Sequence, residues 1–292
     1  MSTPPTPPTP SPSSLSTRPV PHTGERLPAV GLGTWQTFDV GDAPAARAPL
    51  RDVLDDYLGG GGRVIDSSPM YGQSERVVGD LLAQRPAEET TTARPRPFLA
   101  TKVWTSGRAE GEAQMRRSMQ LLRTDTIDLM QVHNLVDWRT HLQTLREWKQ
   151  RGLVRAIGVT HYSLGAFADL ERIVTREGVD FVQLPYSLAT RDAEARLLPA
   201  AAAAGVAVLV MRPFEEGALF ARVRGKALPP WAADCDAASW AQLFLKFILG
   251  HPAVTCPIPA TANPRHIADN LAAARGRLPD AATRRKMIAL IG

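Results

Sequence analysis

The sequence is poor in cysteine, in long apolar runs and in clustered positive charge. Its 292 residues include two cysteines, Cys235 and Cys256, which show neither a metal-ligand spacing nor a disulfide pattern and so favour a reducing compartment. No run approaches the roughly 18 apolar residues of a membrane span, because Pro199 and Gly205 interrupt the alanine-rich stretch. The formal net charge of +5 is spread over scattered arginines, whereas a nucleic-acid face would gather lysine and arginine with aromatic residues. These absences predict a soluble, cytoplasmic protein that binds neither membrane nor nucleic acid.

The amino-terminal segment is rich in proline, serine and threonine and lacks the apolar region of a signal peptide. Such a composition cannot bury a hydrophobic core. We therefore expect residues 1–17 to form a disordered tail and residues 18–292 to form one domain. The 44% of hydrophobic residues supply ample material for a core of that size.

Short apolar runs alternate with helical patterns along the rest of the chain. Eight runs are candidate strands: residues 29–35, 63–68, 97–104, 126–134, 154–162, 180–187, 206–214 and 254–260. They are almost continuously apolar, which is typical of parallel strands buried on both faces. Eight alternations of strand and helix predict an α/β fold, the (β/α)8 or TIM barrel. The alternative is an open doubly wound sheet, which normally carries a Gly-x-Gly-x-x-Gly turn after its first strand, and the sequence has no such turn.

Local signals also predict where helices begin and end. Ser74 is expected to cap a helix whose first turn carries the acidic Glu75. Three helical patterns stop at a glycine just before a strand, which is the usual place for a glycine with left-handed backbone. These are Gly152, Gly178 and Gly205.

Polar side chains recur where the predicted strands end. In a barrel of this kind, active sites lie at the ends of the strands and in the loops that follow them. The groups at these ends that ionise or form hydrogen bonds are Asp66, Tyr71, Lys102, His133, Thr160, His161 and Gln183. Each alone has an ordinary structural explanation, such as a turn cap for an aspartate or a strand-end position for a lysine. Their recurrence at one end of consecutive strands instead predicts a common site.

The residue types in this set suit one kind of chemistry. A buried carboxylate and a buried ammonium are unfavourable unless paired, so we expect Asp66 to pair with Lys102. The ammonium of Lys102 would lower the pKa of Tyr71, and a neutral His133 would orient and polarise a carbonyl oxygen beside the phenol. Such a site protonates an oxygen that gains negative charge as hydride reaches carbon. Because no side chain donates hydride, the chemistry requires a cofactor.

Sequence motifs after the tail resemble those of the aldo-keto reductase superfamily, in the same order, over nearly the whole chain. They are GLGTW, IDSSPMYGQSE, ATKVW, DLMQVHN, IGVTHYS, VQLPYS and IPATANPRHIADN. The resemblance implies a (β/α)8 barrel and the NAD(P)H-dependent reduction of a small carbonyl substrate. It also places the catalytic tetrad of the family at Asp66, Tyr71, Lys102 and His133.

The resemblance implies a set of cofactor contacts as well. Gly33, Thr34 and Trp35 are expected to lie near the cofactor. The expected contacts of the nicotinamide carboxamide are Thr160, His161 and Gln183. At the nicotinamide ring they are Arg212, Pro213 and Phe214. Around the adenosine and its phosphate they are Thr261, Arg265, Asp269 and Asn270.

Several of these positions depart from the family pattern. His161 stands where the family usually has asparagine, so imidazole replaces part of the bonding of an amide. After the seventh strand an aromatic residue often stacks on the nicotinamide, and here Arg212 or Phe214 would provide that platform. Ala260 and His266 stand where NADPH-binding members commonly have lysine and arginine. NADPH is the expected cofactor, with NADH as the alternative.

Two tryptophans are candidates for the substrate pocket. Trp35 and Trp104 are expected to line an apolar substrate pocket, with ordinary packing at the top of the barrel as the alternative.

Two other function classes are alternatives to the reductase. A cofactor-binding regulatory or sensor protein with little turnover is the second, and the intact tetrad argues against it. A metal-dependent barrel hydrolase is a third, but the six histidines form no metal-ligating cluster. We expect a monomer or a weak oligomer.

Overall fold

The structure is a computed structural model that describes residues 15–85 and 96–291. Most of the predicted tail, residues 1–14, lies outside the described residues. The first strand begins at Thr17, one residue before the predicted start of the domain. Within the described ranges, no helix combines the length and the apolar character needed to cross a lipid bilayer.

Ten strands and ten α-helices are present in the described part of the chain. The strands are β1 (Thr17–Pro19), β2 (Arg26–Pro28), β3 (Leu32–Gly33), β4 (Val64–Asp66), β5 (Phe98–Val103), β6 (Ile127–His133), β7 (Val154–Thr160), β8 (Phe181–Pro185), β9 (Ala207–Met211) and β10 (Cys256–Pro257). The helices are α1 (Pro44–Gly59), α2 (Ser74–Ala83), α3 (Arg108–Leu121), α4 (Trp138–Gln150), α5 (Phe167–Arg176), α6 (Leu197–Ala203), α7 (Ala218–Arg222), α8 (Trp240–Leu249), α9 (Pro264–Ala272) and α10 (Ala281–Ile291).

The strands β3 to β10 form one parallel sheet in which each strand pairs with the next along the chain. A bridge between Gly33 and Ala260 joins the two edges of this sheet and closes it. The fold is therefore a (β/α)8 barrel, and the eight predicted strands are confirmed. The predicted segments extend beyond the paired residues, since residues 29–35 contribute only Leu32–Gly33 to the sheet.

Apolar side chains fill the space on both faces of the sheet. All seven residues of β6 are buried. On the outer face the strands pack against the helices, where Trp148 of α4 is fully buried. On the inner face Phe98, Leu129 and Phe181 fill the barrel. Burial on both faces is the reason that the strand sequences are apolar runs instead of alternating patterns.

A hairpin of β1 and β2 covers the amino-terminal end of the barrel. Its strands pair antiparallel, and Val20 and Leu27 pack with Val64, Phe98 and Phe181, which stand at the beginnings of barrel strands. The hairpin was not predicted, because two strands of three residues show no hydrophobic periodicity. The open end of the barrel is consequently the one at which the strands finish.

The carboxyl-terminal helix α10 was not predicted either. It buries only Thr283 and Met287, so its apolar period is weak. Arg284 fixes the helix to α8 by stacking on Phe247, with 4.1 Å between the guanidinium carbon and the ring centroid.

The three glycines predicted to end helices are confirmed, whereas the N-cap predicted at Ser74 is wrong by one residue. The three glycines predicted to end helices have left-handed backbone, with φ of 73° at Gly152, 61° at Gly178 and 67° at Gly205. The N-cap of α2 is Gln73, and the hydroxyl of Ser74 donates a 3.4 Å hydrogen bond to the backbone oxygen of Thr34. Glu75 lies in the first turn as predicted.

The contact between α2 and α3 depends on Gly79. A Cβ atom at this position would lie 2.0 Å from the carbonyl oxygen of Leu121, at the end of α3. We expect Gly79→Ala to lower the free energy of unfolding by about 1–3 kcal/mol through overpacking. Gly59→Ala, at the end of α1, adds a carbon with no atom within 4 Å and should leave the stability unchanged or slightly higher. Equal effects of the two substitutions in urea unfolding would contradict this argument.

Candidate active site

A buried ion pair lies near the carboxyl-terminal ends of β4 and β5. The Nζ atom of Lys102 is 2.8 Å from Oδ2 of Asp66 and donates a second hydrogen bond, of 2.7 Å, to the backbone oxygen of Ser67. Lys102 is fully buried and Asp66 is 2% exposed. Burial alone would lower the pKa of Lys102, but the charge of Asp66, helped by the hydrogen bonds of Lys102 to Asp66 and Tyr71, outweighs burial and raises that pKa. The predicted pair is therefore present, and its ammonium group stays charged.

Two glutamines hold the other carboxylate oxygen of Asp66. Gln131 of β6 and Gln183 of β8 each donate an amide hydrogen bond to Oδ1, at 3.2 and 3.0 Å. Gln183 in turn accepts a bond of 3.1 Å from Thr160, so two residues predicted at the nicotinamide carboxamide lie together. Sequence reasoning missed Gln131, whose only signal was an amide within an otherwise apolar part of the strand.

Tyr71 lies in the loop between β4 and α2. Gly72 has a left-handed φ of 59°, which favours glycine, and a Cβ atom there would lie 2.2 Å from the carboxylate of Asp39. The turn brings the ring of Tyr71 to Lys102, whose Nζ atom is 4.9 Å from the ring centroid. The same ring meets His133 edge to face, with the centroids 6.1 Å apart.

The net effect of the site on the acidity of Tyr71 differs from the prediction. Burial of the phenol has the largest influence and raises its pKa above the ordinary value. Lys102 lowers the pKa of Tyr71, as expected, but does not outweigh burial. Tyr71 is therefore a protonated phenol throughout the neutral pH range.

His133, at the end of β6, is neutral. Burial, with smaller effects from the charges of Lys102 and His161, lowers the pKa of His133 to about 3. Its Nδ1 atom is 3.1 Å from the hydroxyl of Ser68, which also accepts a hydrogen bond from the backbone of Met70. In the tautomer in which Ser68 donates to Nδ1, Nε2 carries the proton and is suited to donate to a ligand oxygen. Ser68 was not predicted as a site residue.

These side chains open into a cavity of about 1020 Å³ that extends from the end of β4 to the beginning of α9. The predicted site residues that line it are Gly33, Thr34, Trp35, Asp66, Tyr71, Trp104, His133, Gln183, Arg212, Pro213, Phe214, Thr261, Asp269 and Asn270. The predicted residues that do not line it are Lys102, Thr160, His161 and Arg265. In residues 15–85 and 96–291, no three histidine, cysteine, aspartate or glutamate side chains are grouped closely enough to hold a metal ion.

Two positions that depart from the family pattern follow β7 and β9: His161, which lies outside the cavity lining, and Arg212, which is part of it. The ring of His161 accepts a 3.0 Å hydrogen bond from the backbone of Ser163 and stacks on Tyr162 at 5.3 Å between centroids. The guanidinium of Arg212 also lies over Tyr162, at 5.3 Å from its centroid. Arg212 and Phe214 both line the cavity, so both predicted platforms are available to a ligand.

The far end of the cavity lies at the beginning of α9. Asn263 caps this helix by accepting a 3.1 Å hydrogen bond from the backbone nitrogen of Arg265. The hydroxyl of Thr261 is 3.0 Å from Nδ1 of His266. Thr261 and His266 both line the cavity, whereas Arg265 does not, so the predicted contact of Arg265 is not part of this wall.

Asp269 is already engaged by the protein at this end of the cavity. Its carboxylate accepts hydrogen bonds of 2.8 Å from Ser239 and 2.7 Å from Gln242, which both belong to the beginning of α8. Sequence reasoning missed these two partners, because their role depends on how α8 packs against α9. The carboxylate is thereby fixed in orientation.

A family model described as the aldo/keto reductase family matches residues 29–285. The chain is 29% identical over 196 residues to the aldo-keto reductase YhdN of Bacillus subtilis and 24% identical over 178 residues to aldo-keto reductase family 1 member A1 of Xenopus tropicalis. These matches cover 61% and 53% of this chain and 55% and 52% of the relatives, so the chain spans about half the length of each. A solved aldo-keto reductase from Klebsiella pneumoniae in complex with NADPH has a TM-score of 0.76 and 25% identity, covering 95% of each chain.

His133 gives the fold a defined sensitivity to acid. Its pKa is about 3 in the folded chain and its ordinary value is 6.5, so the unfolded chain is protonated first and stability is lost as the pH falls between these values. We expect His133→Gln to flatten the decline in the free energy of unfolding within this window. Tyr71→Phe, which removes a group that stays protonated there, should keep the wild-type slope. Urea unfolding at a series of pH values measures both slopes, and a wild-type slope in His133→Gln would refute the burial argument.

Proposed function

The chain belongs to the aldo/keto reductase family, and we propose that it reduces an aldehyde or a ketone to the alcohol, with NADPH as the hydride donor and Tyr71 as the proton donor. Membership of this family supports an oxidoreductase. The observation that supports the specific reaction is the convergence of Tyr71, His133 and the Asp66–Lys102 pair at one end of a single cavity. A proton donor, an oxygen-orienting donor and a buried charge are the groups that carbonyl reduction requires of the protein.

The cavity is compatible with a dinucleotide and a small substrate together. Its volume of about 1020 Å³ is at the upper end of the roughly 300–1,000 Å³ usual for ligand pockets. The capped beginning of α9 offers backbone donors to an anionic group at the far end. A nicotinamide cofactor bound in this cavity supplies the hydride that no side chain can. The relative from Klebsiella pneumoniae, described in complex with NADPH, supports this choice of cofactor.

Tyr71 is suited to give a proton to the carbonyl oxygen. Its phenol is protonated at neutral pH because burial raises its pKa, and the charge of Lys102 stabilises the phenolate that remains after the transfer. Lys102 keeps this charge because Asp66 holds it. His133, which is neutral, donates from Nε2 to the same oxygen and orients it.

Large apolar side chains surround the reacting end of the cavity. Trp35, Met70 and Trp104 line it and are 37%, 39% and 42% exposed. Exposed apolar surface of this kind beside a polar site marks a ligand-binding groove. We infer that the carbonyl compound presents an apolar body to these residues and its oxygen to Tyr71.

Replacing the phenol tests the proton donor. We expect Tyr71→Phe to lower kcat for aldehyde reduction by about 10²- to 10⁴-fold, because a general acid contributes that much. Tyr162→Phe removes the hydroxyl of another tyrosine in the same cavity and should keep most of the activity. Turnover is followed by the absorbance of the reduced nicotinamide, and cofactor binding by calorimetry.

The outcomes of this experiment separate the candidate functions. Loss of turnover in Tyr71→Phe with cofactor binding retained supports Tyr71 as the acid. Equal losses in Tyr71→Phe and Tyr162→Phe would reject a specific role for Tyr71. Tight cofactor binding by the wild type without turnover of any aldehyde would favour a regulatory protein instead.

Adding a cation tests where the cofactor phosphate lies. Ala260 lines the cavity, is exposed and lies near Thr261 and His266 in the wall. We expect Ala260→Lys to tighten NADPH binding by about tenfold, as a charge-assisted hydrogen bond does, and to leave NADH binding nearly unchanged. Ala260→Gln, which adds a long side chain without charge, is the control. A similar gain for both cofactors would show that the added charge does not meet the phosphate that distinguishes them.

A further inference from the structure

The described residues give the cavity lining one permanent cation. Arg212 is the only lysine or arginine among the described residues that line it. Lys102 does not line the cavity, and Asp66 matches its charge. His133 is neutral, since its pKa is about 3. Among the described residues that line the cavity, the one permanent positive charge is therefore that of Arg212.

The loop after β9 holds Arg212 in an uncommon backbone conformation. Its φ is 53°, and Glu215 and Glu216 have φ of 52° and 54°. Left-handed backbone is unfavourable for a residue other than glycine, and residues held in this way cluster at functional sites. The guanidinium is fixed further by its contact with the ring of Tyr162. The backbone conformation and the ring contact thus orient a side chain that lines the cavity and is 36% exposed.

The charge of Arg212 reaches the end of the cavity where Tyr71 lies. Both residues line the cavity, and the guanidinium lowers the pKa of Tyr71, although burial raises it more. The counter-ion of Arg212 is Glu216, 3.1 Å away and 51% exposed. Because solvent screens such an exposed pair, Glu216 offsets only part of the guanidinium charge.

We propose that Arg212 makes the site discriminate between the two oxidation states of the cofactor, so that it binds the reduced form more tightly than the oxidised form. The proposal rests on the proposed function, which places the nicotinamide ring at the end of the cavity where Tyr71 lies. The oxidised ring carries a formal positive charge and the reduced ring is neutral, whereas the rest of the cofactor is the same. A guanidinium near the ring therefore repels only the oxidised form. This repulsion favours release of the spent cofactor after each reduction.

The test compares the dissociation constants of NADP⁺ and NADPH, measured separately by calorimetry on the full chain. The ratio of the two constants cancels every contact with the phosphates and the adenosine, because both forms share them. We expect Arg212→Gln to lower the ratio of the NADP⁺ constant to the NADPH constant by about three- to tenfold, as for a partly screened pair of charges. Arg212→Lys keeps the charge and should retain most of the ratio. Glu216→Gln removes the counter-ion and should raise it.

Each outcome either supports or overturns the proposal. An unchanged ratio in Arg212→Gln, or an equal fall in Arg212→Lys, would overturn it, while NADPH binding and aldehyde turnover by the wild type would leave the proposed function standing. Glu216→Gln gives a check that does not depend on the folding of Arg212 variants, and an unchanged ratio there also counts against the proposal. Failure of the wild type to bind either form would overturn the proposed function, and the inference with it.

Discussion

The buried ion pair between Asp66 and Lys102 is the interaction on which the rest of the site depends. Neither charge would be stable alone inside the barrel, since breaking such a pair costs about 3–5 kcal/mol in comparable cases. The same carboxylate accepts bonds from Gln131 and Gln183, so one group connects the ends of β4, β5, β6 and β8. The ring of Tyr71 contacts both Lys102 of this network and His133. The groups that stabilise the end of the barrel are thus the groups that set the charges around Tyr71 and His133.

The sequence sufficed for the barrel and for the groups at its open end. Apolar runs buried on both faces are easy to distinguish, and a charged residue such as Asp66 stands out where such a run stops. Shorter or weaker signals were missed, including the three-residue strands β1 and β2 and the sparsely buried α10. Gln131 and Ser68 were missed for another reason. Their role depends on which atoms of neighbouring elements meet them, and a single sequence carries no record of that.

The acidity of Tyr71 shows a third limit on what a sequence predicts. The presence of Lys102 beside the phenol could be expected, and its effect on the pKa has the expected sign. The net direction depends instead on how much water the fold removes from the ring. That quantity belongs to the folded site as a whole and is not encoded in any single residue.

The closure of the sheet has a consequence for the fold as well as for the site. Its two edge strands contribute two residues each, and backbone bonds of 2.9 and 3.0 Å from Gly31 to Pro257 and from Gly33 to Pro259 join them. Gly33 and Ala260, on opposite sides of this seam, both line the cavity. Proteins open locally where few bonds hold them, and a ligand that touches both edges binds only the closed form. A ligand that contacts both sides of this seam would therefore stabilise the closed barrel as well as fill the cavity.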